Sequence, residues 1–176
     1  MFTEKMKSLK IISLLFVIFG FYPIENVAHA GTTNPKIYKV LSTNNKNLSI
    51  ASVEYYLQEG DKFIKDGDFD KAKDSYLDAR KLAKQLASFY SDLNSSFKGI
   101  DARIPVEMKA KGKETLQILA KSNERLATLY IKNGKPDVAV PLLIENIRIM
   151  SPNSNIGKEA YKKLIQLGFV DTKYKG

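Results

Sequence analysis

From Ser49 onward, apolar residues recur at three- and four-residue intervals, and this spacing predicts an all-α fold of five helices. In the first, Ile50 to Lys65, one face collects Val53, Tyr56, Leu57, Gly60, Phe63 and Ile64; Asp66-Gly67-Asp68 ends it, Gly67 supplying the left-handed backbone of a helix end and Asp68 a cap for the next helix. The second runs from Phe69 to about Phe97 with a near-heptad stripe of Phe69, Ala72, Tyr76, Ala79, Leu82, Leu86, Phe89, Leu93 and Phe97, and Gly99 stops it. Asp101 and Pro105 open the third, which reaches about Lys132 and turns Met108, Leu116, Leu119, Leu126, Ala127 and Tyr130 inward. At about 1.5 Å per residue both long helices reach roughly 40 Å, long enough to form an extended central antiparallel hairpin. A fourth helix spans Pro136 to Met150, with Pro141 bending it; a fifth runs from Asn155 to about Leu167 and stops at Gly168, leaving 169–176 as a short tail.

The first thirty residues have a different pattern. Lys5, Lys7 and Lys10 precede an apolar run from Ile11 to Tyr22, then Pro23 and the small-residue site Ala28-His29-Ala30. Positive start, short apolar run and small-residue site are the marks of an export signal, with cleavage expected after Ala30. The competing expectation is a retained membrane anchor, but a spanning helix needs about 20 apolar residues. With no cysteine, lipid attachment at the cleavage site is excluded. The compartment implied is a periplasm or an organellar, thylakoid-type lumen. Residues 31–48 form a polar lead in which only Ile37-Tyr38-Lys39-Val40-Leu41 is apolar enough to dock on a core. Residues 49–168 form the helical domain.

Composition narrows the chemistry. The chain has 176 residues, with 28 basic and 19 acidic side chains, a net charge of +9. Without Lys5, Lys7, Lys10, Glu4 and Glu25 the remainder keeps 25 basic against 17 acidic, or +8. For an exported protein this points to anionic or mixed-charge partners, with peripheral membrane contact as the alternative, and away from nucleic acid. There is no cysteine, and the single histidine, His29, lies in the segment expected to be removed. Disulfides, thiol chemistry and imidazole catalysis then drop out, no metal or cofactor is implied, and a non-enzymatic protein is expected. The alternating Asp66, Asp68 and Asp70 resemble the start of a calcium loop, but Lys71 stands where that loop needs glycine and Leu77 where it needs glutamate.

Three glycines suggest a repeat. Gly134 and Gly168 are 34 positions apart, and Gly67 and Gly134 are 67 apart. Around the first, Tyr56, Gly60, Phe63, Gly67, Phe69, Ala72, Tyr76, Ala79 and Leu82 keep a fixed order of large, small and aromatic positions; around the second, Leu126, Ala127, Tyr130, Gly134, Ala139, Leu143 and Ile149 do so more loosely. This resembles the tetratricopeptide repeat, a helix-turn-helix unit of about 34 residues. Departures are Glu59 for a leucine, Asn123 for an early large residue, Pro136 for an aromatic and Asn146 for an alanine. The fifth helix, with Tyr161, Leu164 and Gly168, resembles a lone first helix that caps the stack.

The resemblance implies a concave groove lined by the first helix of each unit. On this chain it falls to Glu54, Leu57, Asp61, Ile64 and Lys65, to Lys121, Glu124, Thr128, Ile131 and Lys132, and to Lys158, Lys162 and Ile165. The function implied is protein–protein interaction, as a scaffold or assembly factor outside the cytoplasm. Lys98, Arg103, Lys109, Lys111 and Lys113 cluster near the tip of the long hairpin, either as a solvated face or as a membrane-surface contact. The apolar stripe of the hairpin also suits a homodimer.

Overall fold

A computed structural model describes residues 47–175. The export segment, with its cleavage site, and the Ile37–Leu41 patch lie outside those residues. Five helices account for the regular structure: α1 Ile50–Lys65, α2 Phe69–Ser96, α3 Arg103–Lys132, α4 Pro136–Met150 and α5 Asn155–Gln166. No strand occurs among the described residues.

Local chemistry sets the boundaries. Ser49, Asp68 and Ser154 each accept a hydrogen bond from the backbone N–H three residues on, at 3.1, 3.1 and 3.0 Å, capping α1, α2 and α5. Helix α3 has no such cap at Ala102; the Asp101 carboxylate, one residue earlier, accepts from the Arg103 N–H at 2.9 Å. Proline occupies the first turn of α4, where no N–H partner is lost.

The ends of α1, α3 and α5 share one closure. In each, the glycine N–H donates to the carbonyl three residues back, and the next N–H donates to the carbonyl five residues back: Gly67 to Ile64 and Asp68 to Phe63, Gly134 to Ile131 and Lys135 to Tyr130, Gly168 to Ile165 and Phe169 to Leu164. The three glycines have φ of +78°, +68° and +69°, the left-handed conformation this paired closure requires. The spacing of 67 and 34 residues thus marks the same backbone turn three times. Helices α2 and α4 end differently, α4 at Ser151 with φ of +71°.

Each helix packs on the next, and α1 also touches α3. Tyr90 faces Gly112 and Arg80 bonds Asn123, so α2 and α3 run antiparallel. Small residues keep the helices close. Ala72, Ala79 and Ala83 are fully buried on α2, and a Cβ at Gly60 would overlap the Tyr76 ring, so α1 reaches α2 at a point where only hydrogen fits. Val53, Leu57, Leu86, Leu119, Leu126, Leu143 and Leu164 fill the core between them. Leu48 and Val170 also pack against this core, and every helix and cap described lies after Gly31.

One expectation changes. The α2 stripe is not inward along its whole length: Phe69 and Phe89 are 47% and 44% exposed, because one stands at the first position of α2 and the other past the part of α2 that α1 pairs with. The short tail after Gly168 packs back on the helices. Val170 packs on the core and the Tyr161 hydroxyl donates to the Thr172 carbonyl at 2.7 Å.

Candidate functional site

Two ion pairs cross between the odd-numbered helices. Asp61 on α1 accepts from Arg125 Nε at 2.7 Å and Nη2 at 2.8 Å, and Lys163 on α5 reaches Glu124 on α3 at 3.2 Å. Asp61 also accepts from the Tyr76 hydroxyl at 2.7 Å. The Arg125 hydrogen bonds hold the Asp61 carboxyl below its ordinary range, while burial, assisted by the bond to Asp61, drives the Tyr76 phenol up. At neutral pH the cluster is one carboxylate, one guidinium cation and one neutral phenol. A planar fork on a carboxylate fixes direction as well as distance.

Beside this cluster opens a cleft of about 320 Å³ lined by Ile64, Phe69, Tyr76, Glu124, Arg125, Thr128, Leu129 and Lys132. Four of the groove residues read from the sequence, Ile64, Glu124, Thr128 and Lys132, meet here. Lys65 is exposed on the last turn of α1. Glu54 and Lys121 are exposed outside this cleft, and Ile131 is half-buried against the core. Leu57 is a correction: at 4% exposure it belongs to the core, turned toward α2 by the same packing that buries Val53 and Gly60. Lys158, Lys162 and Ile165 line a separate depression of about 420 Å³ with Tyr161, Lys173 and Tyr174. Phe69, Tyr76 and Arg125 were not among the expected lining residues. Phe69 and Tyr76 belong to the apolar stripe of α2, and an isolated arginine carries no periodic signal.

A second polar cluster lies inside the helical stack. Asn123 is fully buried, and its amide donates to Glu145 Oε2 and to Asn146 Oδ1, both at 3.0 Å. Asn146 in turn donates to the Ala120 carbonyl at 2.9 Å. Arg80 donates to Asn123 at 2.6 Å and to Glu145 at 2.7 Å, and Lys84 pairs with Glu145 at 2.8 Å. Burial raises the Glu145 carboxyl, but Lys84 and Arg80 outweigh it and leave it lowered. The two asparagines that depart from the repeat pattern are thus partners in one network joining α2, α3 and α4. Among the described residues, no buried side-chain polar atom lacks a hydrogen bond.

At the far end of the long pair, Arg103 pairs with Asp101 at 2.7 Å and Lys111 with Glu107 at 2.7 Å. Lys98, Lys109 and Lys113 are exposed. The acidic run at the α1–α2 turn is occupied by capping and local pairing: Asp68 holds Lys71 and Asp70 holds Lys73. Among the described residues no group of three acidic or imidazole side chains is placed to hold a metal ion.

No known protein family, characterised protein or solved structure matches this chain.

Proposed function

We propose that the chain is a non-catalytic, tetratricopeptide-like binding module that takes a peptide or partner segment in the cleft between α1, the start of α2 and the second half of α3. On this reading α1–α2 is the first unit, the second half of α3 with α4 is the second, α5 is the cap, and the overhanging parts of α2 and α3 form an extended central hairpin. The observation that carries it is the pair of cross-links Asp61–Arg125 and Glu124–Lys163, which tie α1 to α3 and α3 to α5 along one side of the stack. Helices held in that order leave their outward faces on one surface, and the common glycine closure of the same three helices supports a shared repeat.

The cleft suits an apolar side chain flanked by acidic ones. Ile64, Phe69 and Leu129 offer apolar walls, and Lys132 lies exposed at the rim. Phe69 is the kind of half-exposed aromatic that anchors binding surfaces. The test is selection from a random-peptide display library against the chain beginning at Gly31. Enriched peptides that lose at least tenfold in affinity on Ile64→Glu and on Thr128→Arg support the reading. Enriched peptides indifferent to both substitutions, or no enrichment at all, contradict it.

Export belongs to the same proposal. The module acts outside the cytoplasm, as a scaffold or assembly factor, after loss of the first thirty residues. Amino-terminal sequencing of protein recovered from the producing cell is expected to begin at Gly31; a start at Met1 contradicts it.

A further inference from the structure

Among the described residues, the most exposed large apolar side chains are not in the cleft. Ile100 is 78% and Val106 71% exposed, the first in the turn joining α2 to α3 and the second in the first turn of α3. The cross-links from α1 and α4 meet the long pair elsewhere, at Tyr76, Arg80 and Lys84 on α2 and at Ala120, Asn123 and Arg125 on α3. From Lys84 to the end of α2 at Ser96 is 12 residues, about 18 Å of helix. Among the described residues the turn therefore lies well beyond these cross-links.

Charge surrounds the two apolar residues. Val106, Lys109 and Lys113 fall three and seven positions apart, which stacks them on one face of α3, with Ala110 exposed between them. Lys98 precedes Ile100 by two residues. Between 98 and 113 the chain has five basic residues and two acidic ones. Asp101 is engaged by Arg103 and Glu107 by Lys111, so both acids are neutralised and three lysines are left over. Glu114 bounds the patch on its inner side. Two exposed apolar side chains at this end, accompanied by three exposed lysines, match the layered chemistry of an anionic bilayer: the apolar pair enters the headgroup boundary and the lysines meet phosphate.

We propose that the α2–α3 tip is a docking surface for anionic lipid bilayers, with Ile100 and Val106 as the inserted residues and Lys98, Lys109 and Lys113 as the phosphate contacts. No membrane-spanning helix is required for this, and none among the described residues is long and apolar enough to be one. The proposal is independent of the cleft: tip and cleft lie at different places on α3.

Flotation of the chain beginning at Gly31 with vesicles tests it, comparing phosphatidylcholine alone with phosphatidylcholine containing a quarter phosphatidylglycerol. Binding is expected with the anionic vesicles, absent with the neutral ones, and weakened by raised salt. Each of Lys98→Gln, Lys109→Gln and Lys113→Gln should weaken it roughly fivefold, and the triple change about 100-fold. Ile100→Asp with Val106→Asp should reduce it at least tenfold. Circular dichroism should stay unchanged, since all five side chains are exposed. Lys62→Gln with Lys81→Gln and Lys135→Gln, equally exposed and away from the tip, should bind as the parent does, as should Ile64→Glu. No binding to anionic vesicles, unaltered binding by the tip variants, or an equal loss in the Lys62, Lys81 and Lys135 variant overturns the proposal. So does a tip variant that keeps vesicle binding while losing a display-selected peptide, which makes the tip a protein contact instead.

Discussion

Asp61 and Arg125 stand 64 positions apart in the chain and meet through two hydrogen bonds of 2.7 and 2.8 Å. The pair joins α1 to α3, two helices that are not neighbours in sequence. Both side chains are about a third exposed, so water and salt screen much of their attraction. Removing either partner is expected to cost about 1 kcal/mol, and a double-mutant cycle of Asp61→Asn and Arg125→Leu should return a coupling of about that size. Urea unfolding checks this, and the coupling should shrink in high salt. A coupling of zero would make the pair incidental to how α1 sits on α3.

The network around Glu145 responds more strongly. Its carboxylate is only 10% exposed and carries both Arg80 and Lys84. Glu145→Ala leaves both cations without their shared carboxylate; because Arg80 and Lys84 are partly open to water, which screens them, the expected cost is about 1–3 kcal/mol. Asn123→Leu removes the donor to Asn146 Oδ1 and the acceptor of Arg80 Nε, while Glu145 keeps Arg80 and Lys84, and should cost about 1–3 kcal/mol. Chemical denaturation reads both. A stabilising Asn123→Leu would mean that the departure from an apolar position carries no structural benefit.

The approach of α1 to α2 at Gly60 gives a third expectation. Gly60→Ala forces a methyl group into the Tyr76 ring and should destabilise by about 1–3 kcal/mol despite alanine's better helix propensity. Tyr76→Leu, which removes the ring, should reduce that penalty. Thermal unfolding of the two single variants and the double variant distinguishes this overlap from a general intolerance at position 60.

Acid should act through the same carboxylates. Asp61 and Glu145 have folded-state values below their ordinary 3.8 and 4.5. Their stabilisation is therefore complete above the ordinary values and is lost as the pH falls below them through the lowered ones. Stability measured between pH 7 and pH 2 should decline steeply from about pH 4.5 downward. The Glu145→Gln variant should be less stable at neutral pH and show a shallower decline. An identical slope in parent and variant would remove Glu145 from the acid response.

Much of the helical order was legible because it rests on local signals. The α1 and α4 boundaries follow from capping residues, prolines and glycines that act within four positions, and the expected ranges match those observed. The recurring glycine closure was visible for the same reason. What lay beyond periodicity was the polar interior. Asn123, Glu145 and Asn146 interrupt apolar stripes, and each reads as an exception until its partners are known. Those partners come from other helices, 22 to 65 positions away, and no local pattern encodes such pairings. Leu57 illustrates the reverse error. A residue can stand on the expected groove side of a repeat and still be core, because the crossing of α1 over α2 sets how far the buried face extends. Ile100 and Val106 were also missed, since they belong to no stripe; only the placement of the turn makes them a pair.

A partner segment is proposed to bind on the side of the stack marked by the Asp61–Arg125 and Glu124–Lys163 pairs. Titrating a display-selected peptide into isotope-labelled protein and following amide shifts by NMR locates the bound face. The largest shifts are expected at Ile64, Phe69, Thr128 and Lys132, with little change at Ile144, exposed on α4. Largest shifts at Ile144 and Val138, with the cleft residues unmoved, would contradict this placement.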